Sequence, residues 1–126
     1  MEFVTQATGS KVVINAAELE DAFLLKTKIQ KAFKENDIDP VVALSNGDVL
    51  SLIEAMDSSV EVFNGLFNCL KKSTYNGVKI TPEVFSSEES RGDLYEVFFY
   101  CLKVNVYPFF KSLSSLLKIQ SDLAKK

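Results

Sequence analysis

Glu89, Asp93 and Glu96 stand four and three residues apart, a spacing that places three carboxylates on one helix face, where they could hold a divalent cation. Arg91 lies among them and no second acidic cluster completes a ligand set, so the better reading is a solvated face. Asp37-x-Asp39 begins like a calcium loop. Its sixth position is Val42, where the loop's turn needs glycine, and no glutamate stands near the twelfth, at Val49-Leu50. Arg91-Gly92-Asp93 is the tripeptide of adhesion loops, but three residues recur by chance and this one reads as the entrance of a helix.

The chain has no histidine, which removes the commonest general base and the commonest metal ligand, and with them any Ser-His or Cys-His arrangement. Cys69 and Cys101 lie in apolar stretches with no metal-type spacing, so both are expected as buried free thiols. No glycine-rich phosphate loop, glycosylation site or internal repeat is present. The expectation is a protein that is not an enzyme and that carries no cofactor and no metal.

The 126 residues are 47% hydrophobic and 25% charged, which suits one compact domain spanning 1–126. Ten Phe and four Tyr without a Trp make Phe the main large core residue. A net charge of -3, a pI near 5.0 and a single Arg argue against nucleic acid, because phosphate binding needs clustered cations. Met1-Glu2-Phe3 opens on an acid with no signal-peptide pattern behind it, and no apolar run is long enough for a bilayer. A cytosolic protein without a membrane partner is therefore expected.

These side chains must be positioned by a mainly α fold: about five helices following a short N-terminal β-hairpin in residues 1–15, with the helical body in 16–126. Phe3-Val4-Thr5 and Lys11-Val12-Val13-Ile14 flank the turn Ala7-Thr8-Gly9-Ser10. Asn15 with Glu18 forms a capping box, so a helix should begin at Ala16 and run to about Glu35, burying Leu19, Ala22, Phe23, Ile29, Ala32 and Phe33. Asn36 to Pro40 reads as a linker loop, since proline restricts Asp39 and removes a donor. Asp48 can cap a short helix from Val49 to Met56, and Ser58-Ser59-Val60-Glu61 opens another with Val62, Phe63, Leu66, Phe67, Cys69 and Leu70 inward. Lys71-Lys72 suits that helix's negative end, and Gly65 within it suggests close packing. Asn76-Gly77 signals a turn, and Thr81-Pro82-Glu83 a short helical turn.

The last third is the most apolar. From Asp93 to about Val106, Leu94, Val97, Phe98, Cys101, Leu102 and Asn105 share one side, while Phe99, Tyr100 and Val104 cover much of the rest. Near 108 a proline break follows, either a kink or the start of a final helix with Phe109, Leu113, Leu116, Leu117 and Ile119. Two such helices compete for one core, and the surplus is typical of an interface. Phe98, Phe99, Tyr100, Tyr107, Phe109 and Phe110, with Leu113, Leu116 and Leu117, are the candidates for a partner or self-association surface. Taken singly, each aromatic is more often a core residue.

Four patches in order, Gly9-Ser10-Lys11-Val12-Val13-Ile14-Asn15, Asp21-Ala22-Phe23-Leu24-Leu25-Lys26, Ile80-Thr81-Pro82-Glu83-Val84-Phe85 and Asn105-Val106-Tyr107-Pro108-Phe109-Phe110, span nearly the whole chain. Together they resemble the tail assembly chaperones of long-tailed (siphovirus-type) bacteriophages. The resemblance implies a small helical, non-enzymatic protein of the infected bacterial cytoplasm, absent from the mature virion. Its partners would be the tape-measure protein, which it keeps soluble while the tail tube polymerises, and further copies of itself. The resemblance also implies a longer product made by ribosomal frameshifting, through which the major tail protein is recruited; Lys125-Lys126 would fit a slippery adenine run. The alternative is a small helical regulatory or adaptor domain binding one protein partner.

Overall fold

The computed structural model describes residues 1–125. In chain order the elements are β1 (Glu2–Val4), β2 (Lys11–Val13), α1 (Leu19–Glu35), α2 (Pro40–Asn46), α3 (Val49–Met56), α4 (Val60–Cys69), β3 (Thr74–Tyr75), β4 (Val78–Lys79), a 3-10 turn (Pro82–Phe85), α5 (Glu88–Arg91), α6 (Leu94–Asn105) and α7 (Tyr107–Ala124). The fold is mainly α, with more helices than the five expected from periodicity. The N-terminal hairpin is also half of something larger. Its second strand pairs with β3, Val12 opposite Tyr75, giving an antiparallel sheet in the order β1-β2-β3-β4.

The second hairpin forms where the Asn-Gly signal stands: Asn76 and Gly77 both take positive φ, 51° and 81°, as a tight two-residue turn between right-twisted strands requires. The Asn76 side chain accepts from Lys11 N–H at 2.9 Å, so the turn also locks the β2 edge.

Helix α1 starts three residues later than its capping box predicts. Asn15 instead donates from Nδ2 to the Lys72 carbonyl at 2.8 Å and from its backbone to Ser73 Oγ at 3.0 Å. Ala17 N–H donates to Asn105 Oδ1 at 2.8 Å, which holds the approach to the helix extended against α6. Tertiary hydrogen bonds thus outcompete the local cap. Lys72, which follows the negative end of α4, pairs with Glu18. The buried stripe of α1 is Ala22, Leu25, Ile29, Ala32 and Phe33, whereas Leu19 and Phe23, expected inside, are exposed.

The Asn36–Pro40 linker is likewise shorter than read. Asp37 adopts φ 54° and lets Ile38 N–H reach the Phe33 carbonyl at 2.8 Å, closing α1. Asp39 then accepts from Val41 and Val42 N–H at 3.0 and 3.3 Å, and Pro40 opens α2, where its missing N–H does no harm. Asp48 caps α3 as expected, while α4 is capped by Ser59, whose hydroxyl accepts from Val62 N–H at 3.1 Å, one residue after the Ser58 that the capping-box spacing to Glu61 designates.

The core joins α1, α3, α4, α6 and the inner face of β2 around Leu25, Ile29, Leu52, Leu66, Val97 and Leu102. Phe67 links rings with Phe63, Phe98 and Phe85 at centroid distances of 5.0, 5.4 and 6.1 Å. At Gly65 α4 lies tightly on α1: a Cβ there would stand 3.2 Å from Leu25 Cδ1.

Candidate partner-binding surface

The three carboxylates do not form a solvated row. Asp93 is fully buried and accepts from the Tyr75 phenol at 2.6 Å and from the Thr8 hydroxyl. Glu96 accepts the Gln6 N–H with both oxygens, at 2.8 and 3.1 Å, and Glu89 is exposed. Two of the three therefore fasten the β1–β2 turn to the start of α6, a role invisible without the long-range pairing. Arg91 is turned back, donating from Nε to the Phe85 carbonyl at 3.2 Å, and Gly92-Asp93 is the junction between α5 and α6. Among the described residues no group of three or more His, Cys, Asp or Glu could hold a metal ion. Cys101 is completely buried, and its thiol is pushed well above the ordinary range by the hydrogen bond with Cys69 and by burial. That is the profile of an inert structural thiol.

The apolar candidates separate into three groups. Phe98 and Phe110 are core residues, the latter meeting Phe33 edge-on at 6.1 Å. Phe99, Tyr100, Tyr107 and Phe109 are half-buried. Tyr100 stacks on Phe3 at 4.2 Å and Phe109 meets Phe23 at 6.2 Å. Leu113, Leu116 and Leu117 are exposed, and no residue from Lys111 to Lys125 is buried. Pro108 stands in the first turn of α7, so the break begins a helix.

Helical spacing divides the uncovered part of α7. Phe110, Leu113 and Leu117 form one row, which walls a cleft of about 620 Å³ against Phe33, Ile38, Pro40 and Val41. Gln30, Lys34, Asp37, Asp39 and Ser114 also line it. Leu116, Ile119 and Leu123 make a second row, 53–62% exposed, roughly a third of a turn around the helix. Lys111, Ser115, Lys118 and Asp122 occupy the opposite, polar side.

A family model described as phage tail assembly chaperone protein, TAC, matches residues 8–118. The chain belongs to that family. No curated protein and no solved structure matches it. The match runs from within the β1–β2 turn through β2 and helices α1 to α6 to the first two thirds of α7, so the cleft lies inside the chaperone's shared region. The tail assembly chaperones are an assembly family rather than a catalytic one. Among the chaperone's described residues, no helix is long and apolar enough to cross a membrane.

Sequence reasoning passed over two sets of exposed apolar residues that the fold displays. One is Leu123, which continues the row of Leu116 and Ile119; its i, i+3, i+7 spacing was available in the sequence. The other is Val49 and Leu50 on α3, 57% and 77% exposed, where a short helix has too few residues for periodicity to separate faces.

Proposed function

We propose that this chaperone binds the tape-measure protein of the phage tail and keeps it soluble while the tail tube polymerises. The observation that carries the reading is the cleft between the end of α1, α2 and α7, with its apolar floor, solvent-facing mouth and rim of both charge signs. Such a groove suits one face of an amphipathic helix, whose apolar residues need cover until assembly supplies it. The cation and carboxylates of the rim, Lys34, Asp37 and Asp39, set the register of a charged helix without adding much affinity.

The test is co-expression with a tape-measure fragment. The fragment should move to the soluble fraction and co-purify with the chaperone, and Leu117→Glu should abolish both effects; a fragment that stays insoluble beside wild-type chaperone overturns the reading. The same proposal places the chaperone in the infected cell's cytoplasm and outside the mature virion, which mass spectrometry of purified virions checks. It includes a longer, frameshifted product that recruits the major tail protein. A slippery heptamer with an overlapping downstream frame at the Lys125-Lys126 codons is what that part requires.

A further inference from the structure

The sheet ends on β4, the last strand in the order β1-β2-β3-β4, so among the described residues no strand lies along its far side. Ile80 N–H points back across the hairpin to the Ser73 carbonyl at 3.0 Å. Backbone groups alternate in direction along an antiparallel ladder, so the N–H and C=O of Lys79 and the N–H of Thr81 are turned outward. Thr81 keeps an extended backbone, φ -137° and ψ 167°, before its carbonyl accepts from Val84 N–H at 3.1 Å and the 3-10 turn begins. Residues 79–81 are thus a short piece of strand with an open edge.

That edge borders a cleft of about 570 Å³ between β4 and α4. Phe67, Ile80 and Pro82 give the cleft its apolar lining, and Lys71, Lys79, Asn64, Asn68 and Thr81 its polar one. Among the described residues no carboxylate lines it, and neither lysine has an ion-pair partner. Glu83 follows Pro82 but lies outside the lining, and Glu61, at the start of α4, lines a separate opening with Lys28 and Lys31. A lysine on an edge strand ordinarily discourages pairing with another strand. It does not repel one that carries carboxylates.

We propose that the β4 edge and its cleft bind an extended acidic segment of a partner protein, which adds a strand beside residues 79–81 and sets its carboxylates against Lys71 and Lys79. In such a strand, acids two residues apart fall on one face, while the main chain bonds to the open groups of Lys79 and Thr81. Asn64 and Asn68, one turn apart on α4, supply neutral donors along the opposite wall. A nucleic acid would meet the lysines but leave the ladder groups unused, so the open edge is what selects a peptide. The surface is separate from the one proposed for the tape-measure protein: the two clefts share no lining residue, and this occupant is extended rather than helical.

The probe is a short peptide of alternating valine and glutamate, titrated to ~1 mM into the isotope-labelled full chain and followed by nuclear magnetic resonance. The backbone amides of Lys79 and Thr81 and the side-chain amides of Asn64 and Asn68 should shift and saturate. Lys71→Gln with Lys79→Gln, both at exposed positions, should keep the wild-type melting point and bind at least ~10-fold more weakly. The same peptide with every backbone nitrogen methylated keeps its charge but cannot donate to β4, and it too should bind at least ~10-fold more weakly. A valine–lysine peptide should leave the spectrum unchanged. No shift at these amides, or equal binding by the double variant, by the methylated peptide or by the lysine peptide, overturns the proposal. So does the same set of shifts on concentrating the chain without peptide, which would give the edge to a second copy. None of these results touches the α1–α2–α7 cleft, so co-purification of a tape-measure fragment judges client binding separately.

Discussion

The phenol of Tyr75 donates to the carboxylate of Asp93 across 2.6 Å, with the carboxylate fully buried. Tyr75 belongs to β3 and Asp93 stands at the head of α6, and the same carboxylate oxygen accepts from Thr8 in the first hairpin. One acid therefore joins two hairpins to the central helix. The site is closed to water, so removing one donor leaves a buried acceptor without the partner that solvent would otherwise replace.

Tyr75→Phe keeps the ring that meets Phe85 at 5.5 Å and removes only the hydroxyl. A loss of about 2 kcal/mol in urea unfolding is expected. An unchanged midpoint would show that Thr8 and the surrounding backbone hold Asp93 unaided.

At the α1–α4 crossing, Gly65→Ala brings a Cβ against Leu25 while improving helix propensity, two effects of opposite sign. Gly65→Val adds two methyl groups with nowhere to go, because Leu25 is itself fully buried. The valine variant should lose about 2 kcal/mol, read from its denaturation midpoint, and a wild-type midpoint would mean that α1 and α4 can part without cost.

Along α7, burial changes abruptly between neighbours on one row. Phe110→Ala should destabilise the fold by roughly 3–5 kcal/mol, since it empties a packed site beside Phe33. Leu117→Glu, at a position 65% exposed, should shift stability by less than about 0.5 kcal/mol and yet prevent co-purification of a tape-measure fragment. Equal destabilisation by both substitutions would place Leu117 in the core and remove it from the binding surface.

Tyr95 offers a pH test. The hydrogen bond to Asp57, helped by slight burial and by the carboxylate's charge, raises the phenol above its ordinary value near 10. A folded-state pKa above the unfolded one means that the contribution to stability is complete below pH 10 and fades as pH climbs through the folded value. Ultraviolet titration of Asp57→Asn should find one tyrosine ionising at lower pH than in wild type; identical curves would show that the Tyr95 bond does not persist in solution.

Elements whose boundaries depend on neighbouring residues were legible in the sequence. Asp48 caps where its side chain predicts, α4 opens within one residue of its Ser58-Glu61 capping box, Asn76-Gly77 turns, and the inward side of α6 is the one that periodicity assigns. What escaped depends on residues far apart in the chain. Asn15 fails as a cap because Lys72 and Ser73 claim it, and Asp93 is buried because Tyr75 and Thr8 come to it. Pro40 was ambiguous for a different reason, since the same ring ends one helix and begins the next. In the candidate surface, spacing named Leu113, Leu116 and Leu117 together but neither divided them between rows nor gave their depth: nothing local distinguishes Phe110, which meets Phe33, from Leu113, which lines an open cleft.

The uncovered end of α7 has one more consequence, which concerns helicity itself. Beyond Phe110 the helix continues for some fourteen residues without a buried side chain, a length at which an isolated helix in water is barely favourable. Its hydrogen bonds therefore borrow their strength from whatever lies against them. Amide exchange from Leu116 to Ala124 becomes a gauge of occupancy: rapid in dilute lone chain, slowed when a neighbour or client is seated, and readable in a mixture without any label.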